Sequence, residues 1–378
     1  MTHRERVMAA LSHEEPDRVP MDLGGSLVST IVSEVYPGLR AELNLSVHSG
    51  KDSLQYAGLA GIDQDVREAL EVDIIHAPRT FGIRNRDTTL LEDSFYDEWG
   101  ARWHKPKGGH YYIEHAPFEV DATSGVVERH RWPKPQELVH TEGLAEAVRK
   151  IRQDTDYAIS LELQGRVMSM GQFLRGFESW MMDLAANEVF IEALLERTTK
   201  LQIEANDIIL NEIGDLVDIV YTLDDLGGQH GPLVSPGCFS RLLKPYSAQI
   251  WGHIREKTSA KLMHHCCGSI YPFIGDFVEL GVQVLNPVQV SAANMEPSKL
   301  KSDFGQDLCF WGGVDTHNVM PNGSKKEVAE EVARRIKQMG QHGGFILAAV
   351  HNLQREVPPS NIITLFDTGK KMGCYPLK

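Results

Sequence analysis

The chain has 378 residues, 42% of them hydrophobic, enough to bury one large α/β domain or two ordinary ones. Its formal net charge of -14 excludes the basic stripe that a phosphate backbone selects, so no nucleic-acid partner is expected. No apolar run approaches the roughly 20 residues that span a bilayer, the polar start Met1 to Val7 lacks a secretory apolar core, and the five cysteines (Cys238, Cys266, Cys267, Cys309, Cys374) make a poor disulfide framework; a reduced, cytoplasmic protein off the membrane is expected.

Thr2 predicts a capped first helix through about Ser12, broken by Pro16, and Arg18 to Leu23 reads as a first strand closed by Gly24-Gly25-Ser26. Val72 to His76 is a second strand. From about residue 81 to 127 short alternating segments rich in aromatics and charge, such as Phe95-Tyr96-Asp97-Glu98-Trp99, predict a β-rich insertion after that strand. Tyr157 to Leu161 is a strand, and one long helix is expected from about Asp183 to Ile213. Val217 to Leu223 is the next strand, followed by Asp224-Asp225, and Ser235-Pro236 caps a helix running to about Lys257. Strands follow around residues 264, 285, 311 and 347, with a capping box at Ser324 to Glu327 before the helix that ends at Gly340.

Eight short buried strands alternating with helices predict an α/β fold, a (β/α)8 TIM barrel, with residues 1–378 as one barrel domain. An open doubly wound sheet is the alternative, but no G-x-G-x-x-G or P-loop follows the first strand. In a barrel the chemistry sits at the C-terminal strand ends, where Asp22, His76, Asp224, Asp225, His265, Cys267, Asn286, Gln289, Asp315 and His351 fall.

The densest signal is Lys261 to Ser269, Lys-Leu-Met-His-His-Cys-Cys-Gly-Ser. Residues two apart on a strand share a face, so either His265 with Cys267 or His264 with Cys266 is a candidate metal pair. A thiolate beside an imidazole suits zinc, and a catalytic zinc takes three protein ligands. His351, ending another apolar run, is the best remote third.

A family resemblance rests on Arg4 to Leu11 with Glu15-Pro-Asp-Arg-Val-Pro20, Asp224-Asp-Leu-Gly227, His265-x-Cys267-Gly268, Leu285-Asn-Pro-Val-Gln289, Gly312-Gly-Val-Asp315 and His351-Asn352 with Pro358-Pro-x-Asn361. Over nearly its whole length the chain resembles the uroporphyrinogen decarboxylase superfamily, in its corrinoid-dependent methyltransferase branch. That resemblance implies zinc on His265 and Cys267, with His351 where thiol-methylating members carry a later cysteine. One thiolate and two imidazoles leave zinc at a formal charge of about +1, a stronger Lewis acid toward oxygen than a two-thiolate site.

The variant is therefore similar to enzymes that demethylate methoxylated aromatics, which implies a small methylated substrate and a partner corrinoid protein carrying cobalamin. Asp224 or Asp225 would orient substrate or supply a proton, and Glu178 would be a fourth resting ligand. Tyr221, Gln289, Trp311 and Asp315 would line the substrate site, and a homodimer is compatible with this picture. Alternatives are decarboxylation of a porphyrinogen, disfavoured because no arginine follows the first strand, methyl transfer between methylcobalamin and a thiol or tetrahydrofolate, a non-catalytic ligand-binding barrel, and a structural metal.

Overall fold

In the computed structural model, residues other than 49, 51, 55–57, 82–92, 108, 110 and 378 are described. In chain order the described strands are β1 (Ile31–Val32), β2 (Asp52–Leu54), β3 (Leu59–Ala60), β4 (Ile74–His76), β5 (Ser94–Tyr96), β6 (Arg102–His104) and β7 (Tyr112–His115). They continue as β8 (Ala158–Glu162), β9 (Ile219–Leu223), β10 (Lys261–His265), β11 (Val284–Asn286), β12 (Cys309–Trp311) and β13 (Phe345–Ile346). Seven of them form one parallel sheet in the order β13-β12-β11-β10-β9-β8-β4, curled in the manner of a TIM-like barrel.

Residues 18–23, expected as the first strand, make only isolated bridges, yet they tie the sheet's two edges together. Leu347 N donates to Pro20 O (2.8 Å), Asp22 N to Leu347 O (3.0 Å) and Asp73 N to Met21 O (2.8 Å). Pro20 has no N–H to give, so a regular ladder cannot form across it. The barrel sheet thus has seven regular strands among the described residues plus this irregular stave.

Alternation along the staves sorts the side chains. Ile74, Ala158, Ile219, Met263, Val284, Cys309 and Ile346 belong to one buried cluster inside the sheet's curl. Ile75, Ile159, Val220, Leu262, Leu285, Phe310 and Phe345 belong to the larger core shared with the helices. A strand buried on both faces reads as a continuous apolar run, which is why these strands are visible in the sequence. Val7 and Leu11 of the helix His3–Leu11 join the inner cluster, so this helix closes the N-terminal end of the sheet.

Two helices differ from expectation. The predicted helix from about 183 to 213 is two, Phe177–Ala186 and Glu188–Ile213, separated at Asn187, whose backbone leaves helical geometry while its side chain donates to Ala122 O (3.0 Å). Ser235 caps its helix as expected, accepting from Cys238 N (3.1 Å), but Phe239–Leu243 is a π-helical turn before the helix resumes over Lys244–Lys257. Pro245 in that first turn has no N–H for the α-helical ladder, and the wider turn accommodates the loss.

β5, β6 and β7 pair antiparallel in that order, and the helix Ser124–Arg129 occupies the end of the stretch expected to be β-rich. Residues 82–92, 108 and 110 of that stretch lie outside the described residues. Among the described residues no helix is long and apolar enough to cross a membrane.

Candidate metal centre

Curling of the sheet chooses between the two His/Cys pairs on β10. His264 points outward into the helix layer, where Trp251 and Phe277 rings lie 4.7 and 5.0 Å away and Thr222 Oγ1 is 3.0 Å from Nδ1. Burial pushes its pKa down to about 3, and it is a core histidine. Cys266 is equally buried, with its sulfur accepting from Leu226 N at 3.2 Å.

His265 and Cys267 point the other way and meet His351. Their possible ligand atoms, with that of His351, all lie within 4.8 Å of one another. Cys267 Sγ is 3.2 Å from His265 Nε2, and the His265 and His351 rings are 5.5 Å apart between centroids. Tetrahedral zinc with ordinary bond lengths separates such atoms by about 3.3–3.6 Å, so small side-chain rotations would complete the site.

The surroundings prepare these groups. Asn286 Nδ2 donates to Trp311 O (3.0 Å), which leaves Oδ1 to accept from His265 Nδ1–H at 2.5 Å. That assignment directs the lone pair of Nε2 toward Cys267. Burial pushes the His265 pKa down against the opposing charge of Asp225, and burial with the neighbouring His265 pushes His351 down to about 4. Both imidazoles are thus neutral and able to ligate at neutral pH. Burial, reinforced by Asp225, holds the Cys267 thiol well above its usual range, so ion binding there releases a proton.

The turn carrying Cys267 is clamped from outside. Asp225 Oδ1 accepts from Cys267 N (2.7 Å), Gln289 Oε1 accepts from Gly268 N (2.8 Å), and Gln289 Nε2 donates to Gln229 Oε1 (3.2 Å). Gly268 has φ +87°, and a Cβ there would stand 2.4 Å from the Gly227 backbone. Glycine is therefore required where the two loops touch.

Other expected site residues have different surroundings. Asp224 accepts from Val167, Met168 and Ser169 N at 3.0, 2.8 and 2.7 Å, at the start of the helix Met168–Arg175, and burial raises its pKa despite these donors. Asp315 accepts from His317 N (2.8 Å) within its own turn. Trp311 is fully buried in the inner cluster and donates Nε1–H to Asp22 Oδ2 at 2.9 Å. Tyr221, also in that cluster, accepts from Leu27 N (3.1 Å) and donates to His76 Nε2 (2.8 Å). Glu178 was expected as a fourth ligand; it is exposed beside Phe177 and Ser179, outside the three-residue cluster, because its helix lies over the sheet β5–β7 side.

Sequence reading missed a cavity of about 190 Å³ at the end of β8, walled by Phe81, Trp99, Trp103 and Phe173, with Arg79, Asp97, Glu98, Glu162 and Arg166 in its polar lining. The signal was present as Glu162-Leu-Gln-Gly-Arg166 directly after a buried strand. The expected strand, ending at Leu161, stopped one residue short of it.

A family model, uroporphyrinogen decarboxylase (URO-D), matches residues 116–372. Among solved structures, a methyltransferase from Methanosarcina mazei superposes with a TM-score of 0.67 at 18% identity, covering 98% of this chain and 99% of that one. A GH10 endoxylanase from a sugarcane soil metagenome (TM-score 0.38, 10% identity, 61% and 84% covered) is far more distant. So is a GH113 β-1,4-mannanase (TM-score 0.38, 7% identity, 93% and 98% covered). No protein of curated function matches the sequence.

Proposed function

Since the chain belongs to the uroporphyrinogen decarboxylase family, we propose that it is a zinc-dependent methyltransferase of that family's corrinoid-dependent branch. It would move a methyl group from a methoxylated aromatic to the cobalamin of a partner corrinoid protein. The observation carrying this reading is the convergence of His265, Cys267 and His351 inside the C-terminal rim, two neutral imidazoles and one thiol with no fourth ligating group among the described residues.

The donor set fits zinc, with room for one further ligand. Bound there, zinc would supply a Lewis acid that draws electron density from the ether oxygen and makes the methyl carbon a better electrophile. The chain's own residues do the rest. Asn286 holds His265 in the tautomer that ligates through Nε2, and Asp225 and Gln289 hold the Cys267 turn against Gly227. Asn352 accepts from Thr30 N and donates to Leu27 O, both at 2.9 Å, so the turn after His351 is fastened to the loop over the barrel mouth. Leu27 packs on the inner cluster beneath and limits water there. In this scheme Asp224 and Asp225 are positioning residues.

Metal analysis of wild type beside Cys267→Ala and His351→Ala tests the site, followed by a methyl-donor screen with a reduced corrinoid acceptor. One zinc per chain in wild type, lost in both variants, with methylation of the acceptor from a methoxylated aromatic, is the expected result. Unchanged zinc in both variants removes the site; intact zinc with no methylation of any acceptor removes the activity.

A further inference from the structure

The cavity at the C-terminal end of β8 has features that select a ligand. Its volume, about 190 Å³, suits one aromatic ring with small substituents, since an apolar cavity of roughly 150 Å³ takes benzene. Its apolar wall is held in place before any ligand arrives. Asp97 accepts from Trp103 Nε1 (2.8 Å), Trp99 N (3.0 Å) and Ala101 N (2.9 Å), and the Trp103 and Phe173 rings meet edge to face at 5.7 Å.

The polar end is held as firmly. Buried Gln202 and Asn206, from the helix Glu188–Ile213, bind the backbone N–H and C=O of Arg166 and Gln164 at 2.8–2.9 Å, and Asp224 takes the three N–H groups that follow. Three buried polar side chains are thus used to set the chain from Gln164 to Ser169, leaving the side chains of Glu162 and Arg166 to face the cavity.

Within that fixed frame one buried acceptor lacks a hydrogen bond among the described residues. Glu162 is buried, and among the described residues its Oε2 has no hydrogen-bond partner; the guanidinium groups of Arg79 and Arg166 stand 3.6 Å from its oxygens, at ion-pair distance but beyond a good hydrogen bond. A buried carboxylate acceptor left open is an exception that calls for a donor. The two guanidiniums beside Glu162 oppose an ammonium at that oxygen, and the three carboxyl groups of the lining, Asp97, Glu98 and Glu162, oppose an anion. A neutral hydroxyl is the donor that meets neither penalty.

We propose that this cavity is a recognition pocket for a small phenolic ring whose free hydroxyl donates to Glu162 Oε2. Glu162 is in register with Tyr221 on β9, which pairs with Met263 on β10, two residues before His265. Two strand spacings across and two residues along put the backbones of Glu162 and His265 about 12 Å apart, and alternation points both side chains to the inner face of the curl, where their tips approach one another. The inference rests on the proposed methyl transfer for its chemical meaning, but not for its binding, and it adds that the methoxylated ring carries a second, unmethylated hydroxyl.

The test measures binding to metal-free protein by calorimetry, using guaiacol, which keeps one free hydroxyl, and veratrole, in which both are methylated. Wild type should prefer guaiacol about tenfold or more, the effect of a hydrogen bond to a charged group. Benzoate and benzylamine should bind more weakly than phenol. Glu162→Gln should shrink the guaiacol preference severalfold, whereas Phe173→Ala should weaken both ring ligands and leave their ratio intact. Equal binding of guaiacol and veratrole by wild type overturns the proposal, as does tighter binding of either charged probe or indifference to Phe173→Ala. Because no turnover is measured, absence of methyl transfer would count against the function above and leave this pocket standing.

Discussion

The two ends of the barrel treat buried charge in opposite ways. At the N-terminal end Asp73 is surrounded by matched donors: His3 Nδ1 (2.7 Å), Arg6 NH1 (2.6 Å), Arg18 NH1 (2.7 Å) and Met21 N (2.7 Å). Nearby Asp218 receives Arg4, Arg152 and Ile159 N. These contacts lash the helix His3–Leu11 and the irregular first stave to the sheet. At the C-terminal end a carboxylate oxygen of Glu162 has no hydrogen-bond partner among the described residues, and three side chains able to hold a metal face one another across a short gap. Matched polar groups hold the fold, while unmatched ones are available to ligands, as expected for the stability and activity faces of a TIM-like barrel.

Asp73→Asn should separate the two ends most sharply. It leaves buried Arg18 without its anion, while Arg6 keeps Asp17, and should cost about 3–5 kcal/mol in denaturant unfolding, with metal content per folded molecule unchanged. The same contact predicts an acid transition. Burial alone would raise the Asp73 pKa, but His3 and the two arginines outweigh it and hold the folded value below the usual one. A lowered folded pKa means that the stability is complete above the unfolded carboxylate pKa, about 3.9, and is lost as pH falls further. Wild type should therefore unfold steeply below about pH 4 in a circular-dichroism titration, and Asp73→Asn should flatten that slope. Equal slopes would mean that the network does not anchor this end.

Asn286→Ala probes the other end. Loss of the acceptor on His265 should weaken zinc binding about 10–100-fold in a chelator competition, with Asn286→Asp restoring most of it. A stability loss without change in zinc affinity would place Asn286 with the structural groups and blur the contrast. The smallest effect is expected away from both ends. Ser324 Oγ accepts from Glu327 N (3.3 Å) and Glu327 returns to Ser324 N (2.8 Å), so Ser324→Ala should cost about 1 kcal/mol and leave zinc untouched.

Particular residues show why some of this was legible. β9 and β10 lie within the apolar runs predicted for them, because strands buried on both faces need apolar residues throughout. Ser324 and Thr2 cap as read, because capping is a local exchange between residues three apart. Asn187 was not readable as a helix break, since its donation to Ala122 O joins distant parts of the chain. Nor were the employments of Asp224 and Trp311, whose partners lie far off in sequence at residues 167–169 and Asp22.

The order of residues alone determined the alternation of strand and helix and the kinds of atoms offered at each strand end, because periodicity and ligand chemistry are carried by neighbours. Only the closed tertiary arrangement decided which His/Cys pair turned inward, and that Glu178 stood apart. It likewise brought His351 across to His265 and left one oxygen of Glu162 without a hydrogen bond among the described residues. Those outcomes depend on how far the sheet curls and which helix covers each stave, quantities summed over the whole chain that no short stretch contains.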